Sequence, residues 1–217
     1  MDFEQARNNM VEQQIRTWEV LDQNVLDSIS AIPRDAFVPE TYRTLAYSDT
    51  LIPLGYGETM MTPKLEARIV QTLNLRAKDR VLEIGTGSGY LTALLAHRSR
   101  HVVSVEILPR LSEIAKKNLD AHEIHNVELI EGDAILGWNA NEPYEAIVLT
   151  GSVASPSPEI KRQLTIGGRL FMVCGTSPVM DAILVTRIGE HEFTTESLFE
   201  TDLKPLTGGA AKSQFKF

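Results

Sequence analysis

Arg80-Val81-Leu82-Glu83-Ile84-Gly85-Thr86-Gly87-Ser88-Gly89-Tyr90 decides the fold of this chain. Arg80 to Ile84 has the length and apolar content of a buried parallel strand, and Leu91 to His97 has the spacing of a helix packed back against it. Three glycines occupy the turn between them, where a missing Cβ lets the chain bend tightly and lets a ligand approach the main chain. A dinucleotide fingerprint wants a small residue three positions after the second glycine, and Tyr90 stands there. The pattern is Glu-x-Gly-x-Gly-x-Gly instead, which suits a ligand with no pyrophosphate to bury at the helix start.

Glu106 closes the next apolar run, His101 to Glu106, about 20 residues past the first glycine, where an acid accepts hydrogen bonds from ribose hydroxyls. Glu131-Gly132-Asp133-Ala134 follows the run Val127 to Ile130, which puts Asp133 just beyond a strand end, in reach of an adenine amino group. These positions predict S-adenosylmethionine as the ligand, held by Glu83, Gly85, Thr86, Gly87, Ser88, Gly89, Glu106, Asp133 and Ala134. The competing expectation is an ordinary strand-to-helix turn, with Glu106 and Asp133 as solvated loop acids or helix caps.

Farther out the pattern alternates. Apolar runs at Val81–Ile84, His101–Glu106, Val127–Ile130, Ala146–Thr150 and Arg169–Val173 are separated by helical spacing at Leu108 to Ala121 and Pro158 to Leu164. This rhythm predicts an α/β, Rossmann-like doubly wound core over residues 80–206. Gly167-Gly168 predicts a tight turn into the fifth run, and Ala182 to Ile188 with Glu196 to Leu203 a closing hairpin. Residues 1–79 form an N-terminal helical extension, with helical pattern at Ala6 to Ile15 and Val25 to Ile32, then a Gly- and Pro-rich loop from Asp49 to Pro63. Residues 207–217 read as a loose tail. The 217 residues suit a single domain.

The net charge of -8 argues against a phosphate-backbone partner, so nucleic acid is not expected. Cys174 is the only cysteine, which excludes an intramolecular disulfide and predicts a reducing compartment. Met1-Asp2-Phe3-Glu4-Gln5 has no apolar signal core, and no run nears the roughly 18 residues that span a membrane. The expectation is a cytoplasmic protein with no membrane partner.

The motifs together resemble the protein-L-isoaspartate O-methyltransferase family along nearly the whole chain. Ile32-Pro33-Arg34-Asp35-Ala36-Phe37-Val38-Pro39 is similar to its amino-terminal signature, and Ile52-Pro53-Leu54-Gly55-Tyr56-Gly57 to the approach to its substrate loop. Leu82 to Tyr90, Ser104-Val105-Glu106 and Gly132-Asp133 resemble its cofactor motifs, and Lys204-Pro205-Leu206 a later landmark. The resemblance implies a seven-stranded methyltransferase sheet, S-adenosylmethionine as methyl donor, and esterification of isoaspartyl carboxylates in damaged proteins or peptides. It also implies catalytic positions at Thr59, Met61 and Glu83, the last at the cofactor-substrate boundary.

The family pattern Gly-Gln-Thr-Ile-Ser is replaced here by Gly57-Glu58-Thr59-Met60-Met61. Thr59 is kept, but Met61 has no donor where a serine hydroxyl stands, and Glu58 brings a like charge toward an anionic acceptor. One expectation is a retuned pocket: a relative that methylates another small-molecule or peptide acceptor, or a non-catalytic S-adenosylmethionine-binding regulator. The other has Glu58 facing solvent, neutralised by nearby Lys64, with Met60-Met61 as apolar cover and Thr62 supplying a hydroxyl. His122 and His125 lack the i, i+4 spacing of helical metal ligands and read as surface histidines. Trp18, Phe37, Tyr42 and Tyr47 suit either a peptide groove or the core, and Ser152, Ser155 and Ser157 are ordinary loop residues beyond the fourth run.

Overall fold

The computed structural model describes residues 2–209; the part of the expected tail at 210–217 lies outside the described residues. Helix α1 (Phe3–Met10) is capped by the Asp2 carboxylate, which accepts from Gln5 N–H, and it runs into a π-helical turn at Val11–Ile15. Helix α2 spans Gln23–Ala31. The Gly- and Pro-rich stretch expected as a loop contains a two-stranded antiparallel hairpin, β1 (Ile52–Gly55) and β2 (Glu58–Met60). Its turn passes through positive φ at Gly55, Tyr56 and Gly57.

Helix α3 (Pro63–Leu73) follows at once and was not among the expected elements. Pro63 at its first turn needs no N–H partner, and Leu65, Ile69, Val70 and Leu73 supply the buried stripe. The alternating region then gives β3 (Arg80–Ile84), α4 (Tyr90–Arg98), β4 (His101–Glu106), α5 (Pro109–Ala121), β5 (Val127–Glu131), β6 (Tyr144–Val153), α6 (Pro158–Arg162) and β7 (Leu164–Thr176). β8 (Val179–Arg187) and β9 (Phe193–Thr201) form the expected closing hairpin.

The seven strands order as β5-β4-β3-β6-β7-β8-β9, parallel from β5 through β7 and antiparallel at β8 and β9. The tight turn expected at Gly167-Gly168 ahead of the fifth run is not formed: the pair lies inside β7, and the β6–β7 register shifts between Tyr144↔Leu164 and Ala146↔Arg169. β3 is central, flanked by β4 on one side and β6 on the other, so the chain reverses its winding direction there. A doubly wound sheet opens a crevice at the carboxyl ends of the strands at that reversal. Alternate side chains of β3 fill the two faces: Val81 packs with α3 and α4, whereas Leu82 and Ile84 join the opposite cluster with Ile147, Leu149 and Ile160. Among the described residues, no helix is long and apolar enough to cross a membrane.

Candidate active site

The glycine turn is fixed by sterics on both sides. Gly85 adopts φ +95°, and a Cβ there would land 2.2 Å from Thr150 Oγ1, whose hydroxyl is shared between the carbonyls of Ile84 (2.9 Å) and Gly85 (2.7 Å). Gly89 adopts φ +84°, and a Cβ would press on the α5 backbone at Ala115, 3.3 Å away. Only residues without a Cβ let β6 and α5 close on the turn from opposite directions.

The two acids flanking the turn play different parts. Glu106, buried at the end of β4, accepts Gly87 N–H at Oε2 (2.9 Å) and Leu108 N–H at Oε1 (3.0 Å), so it ties the glycine turn to the start of α5. Glu83 is completely buried and binds hydroxyls instead. Its Oε2 accepts from Thr92 and from Ser104 (2.6 Å), and because Ser104 has given its proton to Glu83, Thr86 must donate to Ser104 across their 2.6 Å contact. Glu83 Oε1 is buried without a partner. Burial pushes the Glu83 carboxyl up to about 8; the Ser104 and Thr92 hydroxyls oppose that rise, and the nearby charges of Glu106 and Glu66 add to it.

A cleft of about 790 Å³, open to solvent, lies at the carboxyl ends of the central strands. Gly85, Gly87, Glu106, Asp133 and Ala134 line it, which brings the expected cofactor residues of three successive strand ends together. Asp133 is exposed, and its Oδ1 accepts Ile135 N–H at 3.0 Å. Thr86 and Ser88 are buried and face a smaller adjoining space of about 330 Å³, also open to solvent and lined by Glu83, Met60 and Met61. Gly89 lines neither space and serves the contact with α5. Leu54, Thr59, Gly85, Gly87 and Thr150 line both spaces, so Thr59 stands at their junction. Thr62 lines neither space and sits at the start of α3.

Glu58 is neutralised by Lys204, not by Lys64. Lys204 Nζ pairs with the Glu58 carboxylate and donates to the Gly57 carbonyl at 2.8 Å, whereas Lys64 pairs with Asp49 (2.7 Å) and lies over the Trp18 ring. The separation of 146 positions between Glu58 and Lys204 hid this pair from a local reading. Among the aromatic residues, Phe37 and Tyr47 are core: Phe37 meets Tyr90 edge-on at 5.6 Å, and Tyr47 donates to Asp35 at 2.6 Å. His122 packs on Phe37 with ring centres 5.0 Å apart, and no metal-ligand group occurs among the described residues.

The sequence reading missed one device beneath the hairpin. Arg34 is fully buried and directs its guanidinium to three segments: Nε to Glu66 Oε2 (3.0 Å), Nη1 to the Ala46 carbonyl (2.8 Å) and Nη2 to the Met61 carbonyl. Burial raises the Glu66 carboxyl to about 7, and Arg34 opposes that rise. The signal was present in sequence, since a charged residue on the apolar stripe of a helix, Glu66 beside Leu65 and Ile69, demands a buried partner.

Residues 5–211 match the family model described as protein-L-isoaspartate (D-aspartate) O-methyltransferase. A protein from Pelobacter propionicus named protein-L-isoaspartate O-methyltransferase 2 is 40% identical over 207 residues, covering 94% of this chain and 92% of that protein. Protein-L-isoaspartate O-methyltransferase 1 of Archaeoglobus fulgidus is 43% identical over 178 residues, covering 81% and 82%. A solved protein-L-isoaspartate O-methyltransferase superposes with a TM-score of 0.80 at 27% identity, over 92% of this chain and 65% of that one. A Plasmodium falciparum structure, titled as a complex with S-adenosyl-L-homocysteine, shares the fold at a TM-score of 0.77 and 19% identity. With the strand-end acids, the glycine turn and these likenesses in register over nearly all its length, the chain belongs to the protein-L-isoaspartate (D-aspartate) O-methyltransferase family.

Proposed function

We propose that this chain transfers the methyl group of S-adenosylmethionine to the free carboxylate of isoaspartyl residues in damaged proteins. The observation that carries the reading is the junction at Thr59, a hydroxyl-bearing residue that lines both the cleft and the smaller space beside it. The cleft suits the cofactor: its floor at Gly85 and Gly87 is bare main chain, and acids stand at the two strand ends beyond. Each Glu106 oxygen keeps a lone pair beyond the backbone bond it accepts, available for the ribose hydroxyls. Asp133 and the Ala134 main chain stand at the adenine end.

The cofactor supplies a methyl group activated on a sulfonium. The chain needs no general base, because the acceptor carboxylate is already ionised at pH 7, with a reference value near 4. A carboxylate oxygen forms the new C–O bond as the C–S bond breaks and its electron pair passes to sulfur, and no proton moves. The protein therefore contributes positioning and exclusion of water. Thr59 donates to the acceptor, Leu54, Met60 and Met61 give the cavity apolar walls, and the Glu83 hydroxyl network holds the turn.

The acid charge of the chain disfavours nucleic acid as acceptor, and its lone Cys174 suits the cytoplasm. Labelled-methyl transfer to an isoaspartyl peptide, run beside its ordinary aspartyl twin, tests the assignment. Stoichiometric ester formation on the isoaspartyl peptide alone supports it; cofactor binding with no transfer to either peptide would refute it and favour a different acceptor.

A further inference from the structure

We infer that Lys204 recognises the carboxylate of the methyl acceptor in this chain, an inference that rests on the reaction proposed above. Among the described residues that line the cleft, three are acids, Glu58, Glu106 and Asp133, and the one cation is Lys204. Glu106 ends β4 and Asp133 stands just beyond β5, whereas Lys204 stands with Thr59 at the hairpin. An anion entering the cleft is repelled by Glu106 and Asp133 at one end and meets the charge-balanced Lys204–Glu58 pair at the other, so the lining alone orients it.

The backbone of Lys204 is anchored while its side chain is free to exchange partners. Ser152 N–H donates to the Lys204 carbonyl (3.0 Å), Ser152 Oγ to the Leu203 carbonyl (2.6 Å), and Leu206 N–H back to Ser152 (3.0 Å). These bonds fix the segment beside β6. The side chain then bridges to the hairpin, using two of the ammonium's three hydrogens on Gly57 and Glu58 and leaving one for a ligand. The Lys204 and Glu58 side chains are 48% and 33% exposed. An ion pair that wet contributes little and is screened by salt, so turning the ammonium toward a substrate carboxylate costs little.

The position also answers the loss at Met61, which removes a hydroxyl donor from the hairpin. A lysine at its rim restores a donor and adds a charge. The attraction acts on the full charge of the carboxylate before reaction and weakens as that charge is consumed by the sulfonium methyl. Lys204 therefore strengthens acceptor binding without speeding the chemical step, which places its effect in KM rather than kcat. The cofactor has a carboxylate of its own, and separate measurement of cofactor affinity distinguishes the two sources.

The test uses the full chain, wild type and Lys204→Met, with steady-state methylation of an isoaspartyl peptide and calorimetry of S-adenosylhomocysteine. Lys204→Met is expected to raise the peptide KM by about two- to fivefold, the range of a solvent-exposed ion pair, with kcat unchanged and cofactor affinity unchanged. Lys204→Arg should recover most of the loss. Adding Glu58→Gln to Lys204→Met removes the acid left uncompensated, so a return to wild-type KM in that double variant would show that Lys204 only masks Glu58, overturning the inference. An unchanged KM in Lys204→Met, or a matching loss of cofactor affinity, overturns it as well. A wild type that leaves the isoaspartyl peptide unmethylated sinks the underlying reaction instead.

Discussion

Replacing Glu83 by glutamine isolates the proton that this site holds. Glu83 is completely buried, its Oε2 accepts two hydroxyls and its Oε1 has no partner, and burial lifts the carboxyl from 4.5 to about 8. Between those values the native protein carries the proton and the unfolded chain does not. Stability then falls as pH rises, because the native state binds more protons than the unfolded one. The stabilisation is fully present below pH 4.5 and is lost as pH rises through about 8, at up to about 1.4 kcal/mol per pH unit. From pH 5.5 to 7.5 the loss from this one group approaches about 3 kcal/mol.

Glutamine has nearly the same shape and keeps an oxygen for Ser104 and Thr92, but it does not titrate. Glu66, raised to about 7, contributes a slope of the same sign in both proteins, so the difference between them reports Glu83 together with its repulsion by Glu66. Urea unfolding of the cofactor-free wild type and Glu83→Gln at pH 5.5, 6.5 and 7.5 measures that difference. The variant should gain on the wild type steadily as pH rises. A difference that stays flat across the range would show that Glu83 is ionised in the folded protein and refute the reasoning.

Glu106→Ala should weaken S-adenosylmethionine by about 1 to 3 kcal/mol in calorimetry, losing the ribose acceptor and the anchor on Gly87 together. Gly87→Val should abolish binding in a folded protein, since φ is +58° there and a branched residue resists that conformation; unchanged affinity in both variants would sink the cofactor site. Asp133→Ala should weaken S-adenosylmethionine more than an analogue lacking the adenine amino group, and equal losses would reassign Asp133 to its turn with Ile135. Arg34→Met should cost about 3 to 5 kcal/mol in urea unfolding, because it leaves the Glu66 carboxyl and the Ala46 and Met61 carbonyls buried without their partner, and a cost under about 1 would show the pair to be dispensable. Met61→Ser should raise the rate on isoaspartyl peptide by restoring a donor beside Thr59, whereas no change would mean that Thr59 and the rim already hold the acceptor.

The parallel core was legible because its first three strands are apolar runs whose ends are marked in the sequence, by the glycines after Ile84, by Glu106 and by Glu131-Gly132. The cofactor cleft was legible for the same reason, since chain order fixes which strand ends adjoin. Helix α3 was not, because Lys64, Glu66 and Arg68 interrupt its apolar stripe and Pro63 closes a stretch rich in turn residues. The hairpin escaped for lack of length, as β2 has three residues and its pairing depends on positive φ at Tyr56 and Gly57. The partner of Glu58 was out of reach in principle. Sequence spacing reports neighbours along a helix or strand, and Lys204 follows β9 in the chain and returns to lie beside β6.

The two ion pairs that meet the hairpin differ in one physical respect that separates their roles. Arg34 and Glu66 are 0% and 2% exposed, and every hydrogen bond of the guanidinium goes to a buried residue. Releasing any of them leaves a buried charge or carbonyl unpaired, so that pair holds the Met61 main chain in one place. Lys204 and Glu58 meet the same hairpin from its wet side, where water replaces either partner at little cost. The hairpin is thereby rigid beneath, where the inner cavity needs walls, and adaptable at its rim, where an acceptor must enter and leave. Glu58 fits that division: paired with Lys204 it adds no net charge to the mouth of the cleft, and it keeps the ammonium over the hairpin until a carboxylate displaces it.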